Sequence, residues 1–372
     1  MPYSQTRPFA GQLRIDLTAL ASNYNLVQRH IGPHCEAAAA VKSDAYGIGI
    51  ERAAPALQQA GCKSFFVATL QEGMQLRDIL PDDNIRIYVL NGLQPDAEEI
   101  LDFHSLTPVL NSLQELENWA SYAKRTRPYL KCILHIDTGM ARLGLPHDEL
   151  DFIQNRAGAF SKILDIEYIM SHFACADENG HPLNKKQAER FQYAADSFVF
   201  SKKSLANSSG IFRNTNWHHD MVRPGMCLYG LNPTPETDNP MQPVISLSVP
   251  VLQRRTLPKG ESVGYGASWI ADKQCELATV QLGYADGFNR SATNAAKLFW
   301  QGYACPIVGR VSMDLTVISL ENVPPELRPN QGDMIEVLGP HQNADDLALD
   351  MGTIGYEVLT NLGRRYARTY KS

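Results

Sequence analysis

From residue 12 to about residue 230, short apolar runs alternate with helical patterns, and this rhythm limits the fold more than any single residue does. LRIDL precedes LTALASNYNLVQRHI, AAAAV precedes IERAAPALQQAG, FFVAT precedes LQEGMQLRDIL, and IRIYVL precedes DAEEILDFH. LTPVL then leads into SLQELENWASYAKR, whose Ser112 and Glu115 have the spacing of a capping box, and KCILHI leads into DELDFIQNRAG. LDIEYIM with its following helical stretch, and the short runs around SLANSS and MVRPGMCLYG, bring the count to about eight strands. Repeated strand-helix units of this number predict a (β/α)8 barrel.

Near residue 232 the text changes. NPTPETDNPMQP is rich in Pro, Asn and Asp, and VISLSVPVL, LATVQLGY, CPIVGRVSMDLTVISL and MIEVLG follow it with few long helical patterns. The expected architecture is an α/β barrel over residues 12–235 and a mostly-β domain over residues 236–372, to which the first eleven or so residues also belong. A length of 372 residues exceeds one ordinary core and suits a barrel carrying an addition.

The 34 Lys and Arg residues are offset by 40 Asp and Glu, so no global positive field exists to hold nucleic acid or an anionic membrane. Any anionic ligand must be held by local groups. The opening MPYSQTRPFAGQLRIDL has no apolar core of a signal peptide, and no later run approaches a membrane span, which gives the expectation of a cytoplasmic protein. The seven cysteines are scattered, without a CxxC pair, which argues against a disulfide framework or a thiolate zinc site. His218-His219-Asp220 is the nearest thing to a metal cluster, but adjacent residues rarely converge on one ion, and no metal is expected.

Barrel enzymes act at the C-terminal ends of their strands, where this chain places several reactive side chains. Lys42 follows AAAAV, Arg142 lies after KCILHI, His172 follows LDIEYIMS, Asn207-Ser208 follow SLA, and Arg223 opens RPGMCLYG. A lysine directly after a buried alanine run is a candidate Schiff-base former, because burying an ammonium is costly unless it pairs or loses its charge. A solvated strand-end lysine is the plainer alternative. Asp44, Tyr46, Gly47 and Gly49 make a compact turn where backbone can approach a ligand and Tyr46 can donate to a phosphate oxygen.

AVKSDAYGIG resembles the lysine motif of the alanine racemases, and the similarity continues through HIDTGMARLG, SHFACADE, ANSSG, VRPGMCLYGLNP, VGYGASW, LGYADGFNR, VGRVSMDLT and IGYEVLT. These segments span nearly the whole chain in family order. The resemblance implies a pyridoxal 5'-phosphate-dependent isomerase that interconverts L-alanine and D-alanine, supplying D-alanine for peptidoglycan. It implies that Lys42 carries the cofactor and acts as one base, while Tyr265 acts on the opposite face from a second copy, giving a homodimer with shared active sites. Two faces need two bases, since one group cannot both remove a proton from a planar carbon and return it from across the plane.

Further roles follow from the same resemblance. His172 and Arg223 match a hydrogen-bond chain behind the tyrosine, and Arg223 also faces the pyridine nitrogen of the cofactor. Tyr46, Ser208, Tyr356 and the backbone around Gly225-Met226 resemble a phosphate cup. Arg142 and the backbone N–H of Met313 match groups that hold the substrate carboxylate. Tyr284 and Tyr356, with Tyr265, resemble a narrow inner gate, and Asp177, Arg290, Arg310 and Ile354 an outer corridor. A cramped tyrosine-lined pocket favours a methyl side chain by excluding larger ones.

The chain departs from the family pattern at His135, where many members have a lysine that becomes carbamylated and orients the arginine matching Arg142. A histidine cannot supply that negative charge, so Arg142 must be held by another anion, Asp137 or a halide, or by a neutral hydrogen bond, and no carbamylated lysine is expected, at Lys131 included. Ser43, Ile48 and Ser312 also depart from common family residues without removing an essential group. The competing readings are a racemase of serine or of broader amino-acid specificity, a decarboxylase of similar plan, which Arg223 opposes, and a non-catalytic binder of the same cofactor.

Overall fold

The computed structural model describes residues 11–372. Strand β1 (Gln12–Asp16) is followed by the helix Leu17–Ile31, which Asp16 caps by accepting the N–H groups of Thr18 and Ala19 at 3.0 Å each. Next come β2 (Glu36–Ala37) and β3 (Ala39–Ala40), two segments of one run that is continuous through Ala38, whose N–H donates to Val222 O at 2.9 Å. The remaining parallel strands are β4 (Ser64–Val67), β5 (Arg86–Val89), β6 (Thr107–Leu110), β7 (Leu130–His135), β8 (Leu164–Met170), β9 (Lys202–Asn207) and β10 (Met221–Arg223).

Their hydrogen-bonded order is β2-β10-β9-β8-β7-β6-β5-β4-β3. Because β2 and β3 are halves of one run, the sheet returns to its own beginning, and the eight strand positions close into a barrel with helices between successive strands. The sequence accounts for this arrangement. SFFV and TPVL are buried at every position, as parallel strands covered on both faces require. Helices such as Leu113–Arg125 bury one stripe, Leu116, Trp119, Ala120 and Ala123, against them.

LRIDL corrects the expectation that the barrel begins at residue 12. Strand β1 pairs antiparallel with Ile245–Leu257 and parallel with Ala367–Lys371, so it lies in the sheet of the mostly-β domain. The reason is legible in its burial: Leu13 and Ile15 are buried while Arg14 is exposed, the alternation of a strand with one wet face. The first ten residues, expected to belong with the mostly-β domain, lie outside the described residues.

The second sheet runs Tyr303–Pro306, Lys297–Trp300, Met334–Leu338, Ile245–Leu257, β1, Ala367–Lys371, and the far half of Ile245–Leu257 also pairs with Cys275–Val280, which pairs with Thr316–Ser319. A small hairpin of Ser262–Val263 and Trp269–Ile270 projects from it. Among the described residues no helix is long and apolar enough to cross a membrane. The seven cysteines are free, six of them buried. His218 bonds Ile211 O, His219 lies edge-on to the Phe191 ring, and Asp220 accepts the Lys203 N–H, so their side chains serve three separate places.

At the strand starts the barrel is plugged by ions. Arg86 meets Glu36 at 2.7 Å and Glu167 at 3.6 Å, and Tyr88 donates to Glu167 at 3.1 Å. The strand ends form the opposite mouth, and the reactive side chains gather there.

Candidate active site

Strand β3 delivers Lys42 to the mouth, and the backbone then does something unusual. Ser43, Asp44, Ala45 and Tyr46 all have φ between 52° and 55°, and Gly47 follows at 83°. A left-handed turn of four non-glycine residues costs roughly 1–2 kcal/mol per residue, so it persists only where the surroundings fix it. They do so at both ends. Glu72 accepts the Ser43 N–H at 2.7 Å, Asp44 accepts that of Ile50 at 2.7 Å, Arg368 donates to Gly47 O at 2.7 Å, and the Tyr370 hydroxyl donates to Ile48 O at 2.8 Å. At Gly47 a side chain would run into Leu359 O, so glycine is required by both its φ and its close approach.

The turn aims Lys42 and Tyr46 at different parts of the mouth. Burial, followed by the charge of Arg142, lowers the Lys42 ammonium below the usual lysine range, with Glu72 opposing. Tyr46 is buried, stacks on Tyr229 with ring centres 4.5 Å apart, and faces Tyr356 at 6.2 Å. A side chain on Gly225 would collide with the Tyr46 hydroxyl, and Gly225 donates its N–H to Ser208 Oγ at 2.9 Å. Tyr46, Tyr356, Ser208 and the bare backbone at Gly225-Met226 thus meet at one place, and the Ser208 hydroxyl proton remains available to donate outward.

Next to the β2–β3 run, to which it is hydrogen-bonded, β10 ends in Arg223, buried and paired with no carboxylate among the described ion pairs. It donates to Ser204 Oγ at 2.6 Å, to Leu205 O at 3.2 Å and to Ser171 O, and its Nη2 lies 3.3 Å from His172 Nδ1. Burial lowers its pKa to about 9, which still leaves it charged at neutral pH. His172 is held well below the ordinary histidine value, first by desolvation and then by Arg223, Arg142, His135 and Lys42. It is a neutral imidazole that accepts at Nδ1 and therefore carries its proton on Nε2.

His135 ends β7 inside the barrel, where burial, then Arg223 and Arg142, bring its pKa to about 3. Its Nδ1 lies 2.8 Å from Asn111 Oδ1, and Asn111 donates to Leu90 O at 3.2 Å and Val109 O at 2.8 Å. With both amide protons so engaged, Asn111 presents an acceptor, and His135 carries its proton on Nδ1. Asp137 Oδ1 accepts the N–H groups of Gly139, Met140 and Ala141 at 2.9–3.1 Å, so it shapes the loop that carries Arg142 and forms no ion pair with that arginine among the described residues. Lys131 is an exposed residue at the start of β7.

The remaining predicted residues sit elsewhere on this chain. Tyr265 tops the small hairpin and is 73% exposed, and the Arg310 guanidinium lies under its neighbour Gly266. Tyr284 and Met313 are 46% and 53% exposed and belong to strands of backbone tied together by Tyr284 N to Ser312 O and Ala285 N to Met313 O. Arg290 and Ile354 are exposed, and Asp177 is exposed with its carbonyl receiving Arg213 at 2.7 Å. No described contact joins Tyr265 to Lys42 within one chain.

Sequence reasoning missed several contributors. Glu72 and Asn111 read only as a helix-start carboxylate and a turn former, and their partners lie 29 and 24 residues away. Arg365, which bonds both Asp286 and Asp314 at 2.6 Å and so ties the Tyr284 segment to the Met313 segment, offers no local signal at all. The Thr69…Glu72 capping box was the one clue available for Glu72.

The chain matches the family described as alanine racemase, N-terminal domain, over residues 15–233, and alanine racemase, C-terminal domain, over residues 244–370. It is 45% identical to an alanine racemase of Rhodospirillum rubrum across 96% of this chain and 95% of that one, and 43% identical to a catabolic alanine racemase of Agrobacterium fabrum across 97% and 92%. Among solved structures it superimposes on the Bartonella henselae alanine racemase with covalently bound pyridoxal phosphate at a TM-score of 0.93, with 37% identity over 97% of this chain and 99% of that chain. The biosynthetic enzyme of Pseudomonas aeruginosa gives 0.89, with 34% identity over 98% of this chain and all of its own. On sequence, domain order and fold alike, the chain belongs to the alanine racemase family.

Proposed function

We propose that this protein interconverts L-alanine and D-alanine using pyridoxal 5'-phosphate carried by Lys42. The observation that carries the reading is the shared mouth: a partly buried, pKa-lowered lysine opens onto a glycine-floored cup on one side and the Arg223–His172 pair on the other. The cup fits a phosphate dianion. Converging neutral donors, Tyr46, Ser208 and Tyr356, with backbone at Gly225-Met226, hold such a group without a cationic side chain, and any side chain at residue 225 would fill the space.

When bound, pyridoxal phosphate supplies an electron sink for the pair left behind as the Cα proton departs. Arg223 would serve the ring nitrogen as a pure donor, since a guanidinium with pKa near 9 keeps its own protons at neutral pH. Lys42 Nζ takes or returns the proton on one face, and its lowered pKa raises the fraction of free amine near neutrality. Tyr265 of a second copy serves the other face. His172 Nε2–H, directed by the Arg223 contact at Nδ1, donates to that phenol oxygen and orients it. Arg142 and the second copy's Met313 N–H hold the substrate carboxylate, and Tyr284, Tyr356 and Tyr265 restrict the side chain to a methyl group.

Exposure supports a homodimer. Tyr265, Tyr284 and Met313 lie bare on the mostly-β domain, and a two-fold arrangement carries each set to the other barrel's mouth reciprocally. Asp177, Arg290, Arg310 and Ile354 line the way in. The inferred role, in the cytoplasm, is supply of D-alanine for peptidoglycan; a D-alanine requirement on deleting the gene in a strain without a second racemase supports it, and growth without D-alanine overturns it.

The deciding experiment is chiral analysis of alanine, serine and lysine after incubation with the purified protein and pyridoxal phosphate, beside Lys42→Ala and Tyr265→Phe. Rapid alanine interconversion abolished in Lys42→Ala and strongly reduced in Tyr265→Phe is expected. Preference for serine or lysine would overturn the substrate, and cofactor binding without turnover would overturn the activity.

A further inference from the structure

The left-handed run after Lys42 is disfavoured by its own backbone, since four consecutive non-glycine residues with φ of 52–55° oppose the handedness of L-amino acids. Its far end is held by Asp44, Arg368 and Tyr370. The end adjoining Lys42 is held by a carboxylate from another unit of the barrel. Glu72 Oε1 accepts the Ser43 N–H at 2.7 Å, while Oε2 accepts those of Ala68 at 2.7 Å and Thr69 at 3.3 Å. One side chain therefore joins the ends of β3 and β4 at the mouth, using both oxygens as acceptors.

We propose that Glu72 is a positioning residue for Lys42: its carboxylate fixes the turn that launches the amine and places a negative charge beside it. The inference rests on the reading of Lys42 as the cofactor lysine. Three groups bear on the Lys42 charge or feel it. Arg142, from the loop after β7, disfavours the ammonium; Glu72, from the helix Leu70–Ile79, favours it; and His172, from the end of β8, is neutral. Glu72 is the acid among them. A glutamine here loses the charge and must also turn its NH2 toward either Ser43 N–H or the Ala68 and Thr69 N–H groups, donor against donor.

A plain helix cap offers the competing account, because Glu72 also completes a capping box with Thr69 Oγ1, which accepts the Glu72 N–H at 3.2 Å. Thr69→Val separates the two, since it loosens the cap and leaves the carboxylate on Ser43. The test compares wild type, Glu72→Gln, Glu72→Asp and Thr69→Val. The full-length proteins are stripped of cofactor, Lys42 is labelled with an amine reagent across pH, and the labelled peptide is quantified by mass spectrometry. Racemisation of alanine is measured on the reloaded enzymes.

In Glu72→Gln the labelling midpoint is expected to fall by about half a pH unit or more, and kcat by about tenfold, with KM nearly unchanged. Glu72→Asp keeps the charge on a shorter arm, so the midpoint stays and kcat falls. Thr69→Val lowers the melting temperature and moves neither. The proposal is overturned by an unmoved midpoint or an unmoved kcat in Glu72→Gln, by a Thr69→Val variant that reproduces its effects, or by full kcat in Glu72→Asp, which also decides the matter should Glu72→Gln fail to fold. Borohydride reduction of the holoenzyme then locates the cofactor: attachment to another lysine overturns the Lys42 reading itself, whereas attachment to Lys42 with an unmoved midpoint overturns only the role of Glu72.

Discussion

Arg223 Nη2 lies 3.3 Å from His172 Nδ1, and because a guanidinium has donors only, the imidazole must accept there and keep its proton on Nε2. Arg223→Gln removes one of the positive charges that depress the His172 pKa, so that pKa rises toward the ordinary histidine value. The acid limb of kcat/KM against pH is therefore expected to move to higher pH, with kcat down by about 10²-fold. A pH profile from 5 to 10 checks this, and a reduced but unshifted profile would count against the Arg223 charge as a cause of the low His172 pKa.

Tyr265 and Lys42 belong to different copies in the proposed site, so two dead variants complement each other. Random reassembly of Lys42→Ala with Tyr265→Ala makes half of the dimers mixed, each with one intact site of two, and about a quarter of wild-type activity is expected. Activity that stays at the level of the separate variants after subunit exchange, confirmed by native mass spectrometry, sinks the shared site.

Gly225 is bare where Tyr46 and Ser208 approach it. In Gly225→Ala the added methyl meets the Tyr46 hydroxyl and displaces it from the cup. The expected outcome is a tenfold or greater loss of pyridoxal phosphate affinity, about 1.4 kcal/mol, with an unchanged far-ultraviolet circular dichroism spectrum. Equilibrium dialysis reads the affinity directly.

His135 is neutral in the fold because burial brings its pKa to about 3, against 6.5 in the unfolded chain. The unfolded state thus binds the extra proton first, and stability present above pH 6.5 is lost as pH falls toward 3. One such group steepens the loss by at most about 1.4 kcal/mol per pH unit. Asparagine can keep the bond to Asn111 without titrating, so His135→Asn should flatten the decline in stability between pH 6.5 and 4.5. The decline will not vanish, since His172, His218 and His219 are also depressed. Urea melts across that range measure it.

Much of the barrel was legible because parallel strands are buried on both faces, so SFFV, TPVL and LKCILH stand out as apolar blocks. LRIDL was misplaced because a strand followed by an amphipathic helix looks like a barrel unit wherever it pairs; only the exposed Arg14 between two buried residues distinguished it. Lys42, Arg142, His172 and Arg223 could be read from their positions after strands. The restraints upon them could not. Glu72 on Ser43, Asn111 on His135 and Arg365 on two aspartates are contacts between segments distant in sequence, and each uses a residue type that is common at helix starts, turns and surfaces.

Strand β1 waits for partners that appear more than 220 residues later, and for its parallel neighbour Ala367–Lys371 more than 350 residues later. On a ribosome this sets a clock. All eight barrel positions have been synthesised by Arg223, yet Leu13 and Ile15 still lack the strands that bury them, and Arg368 and Tyr370, which brace the backbone beside Lys42, follow it by more than 320 residues. Lys42 is translated early and braced late, so a nascent chain stalled between Arg223 and Arg368 carries this lysine without two of the bonds that hold its turn.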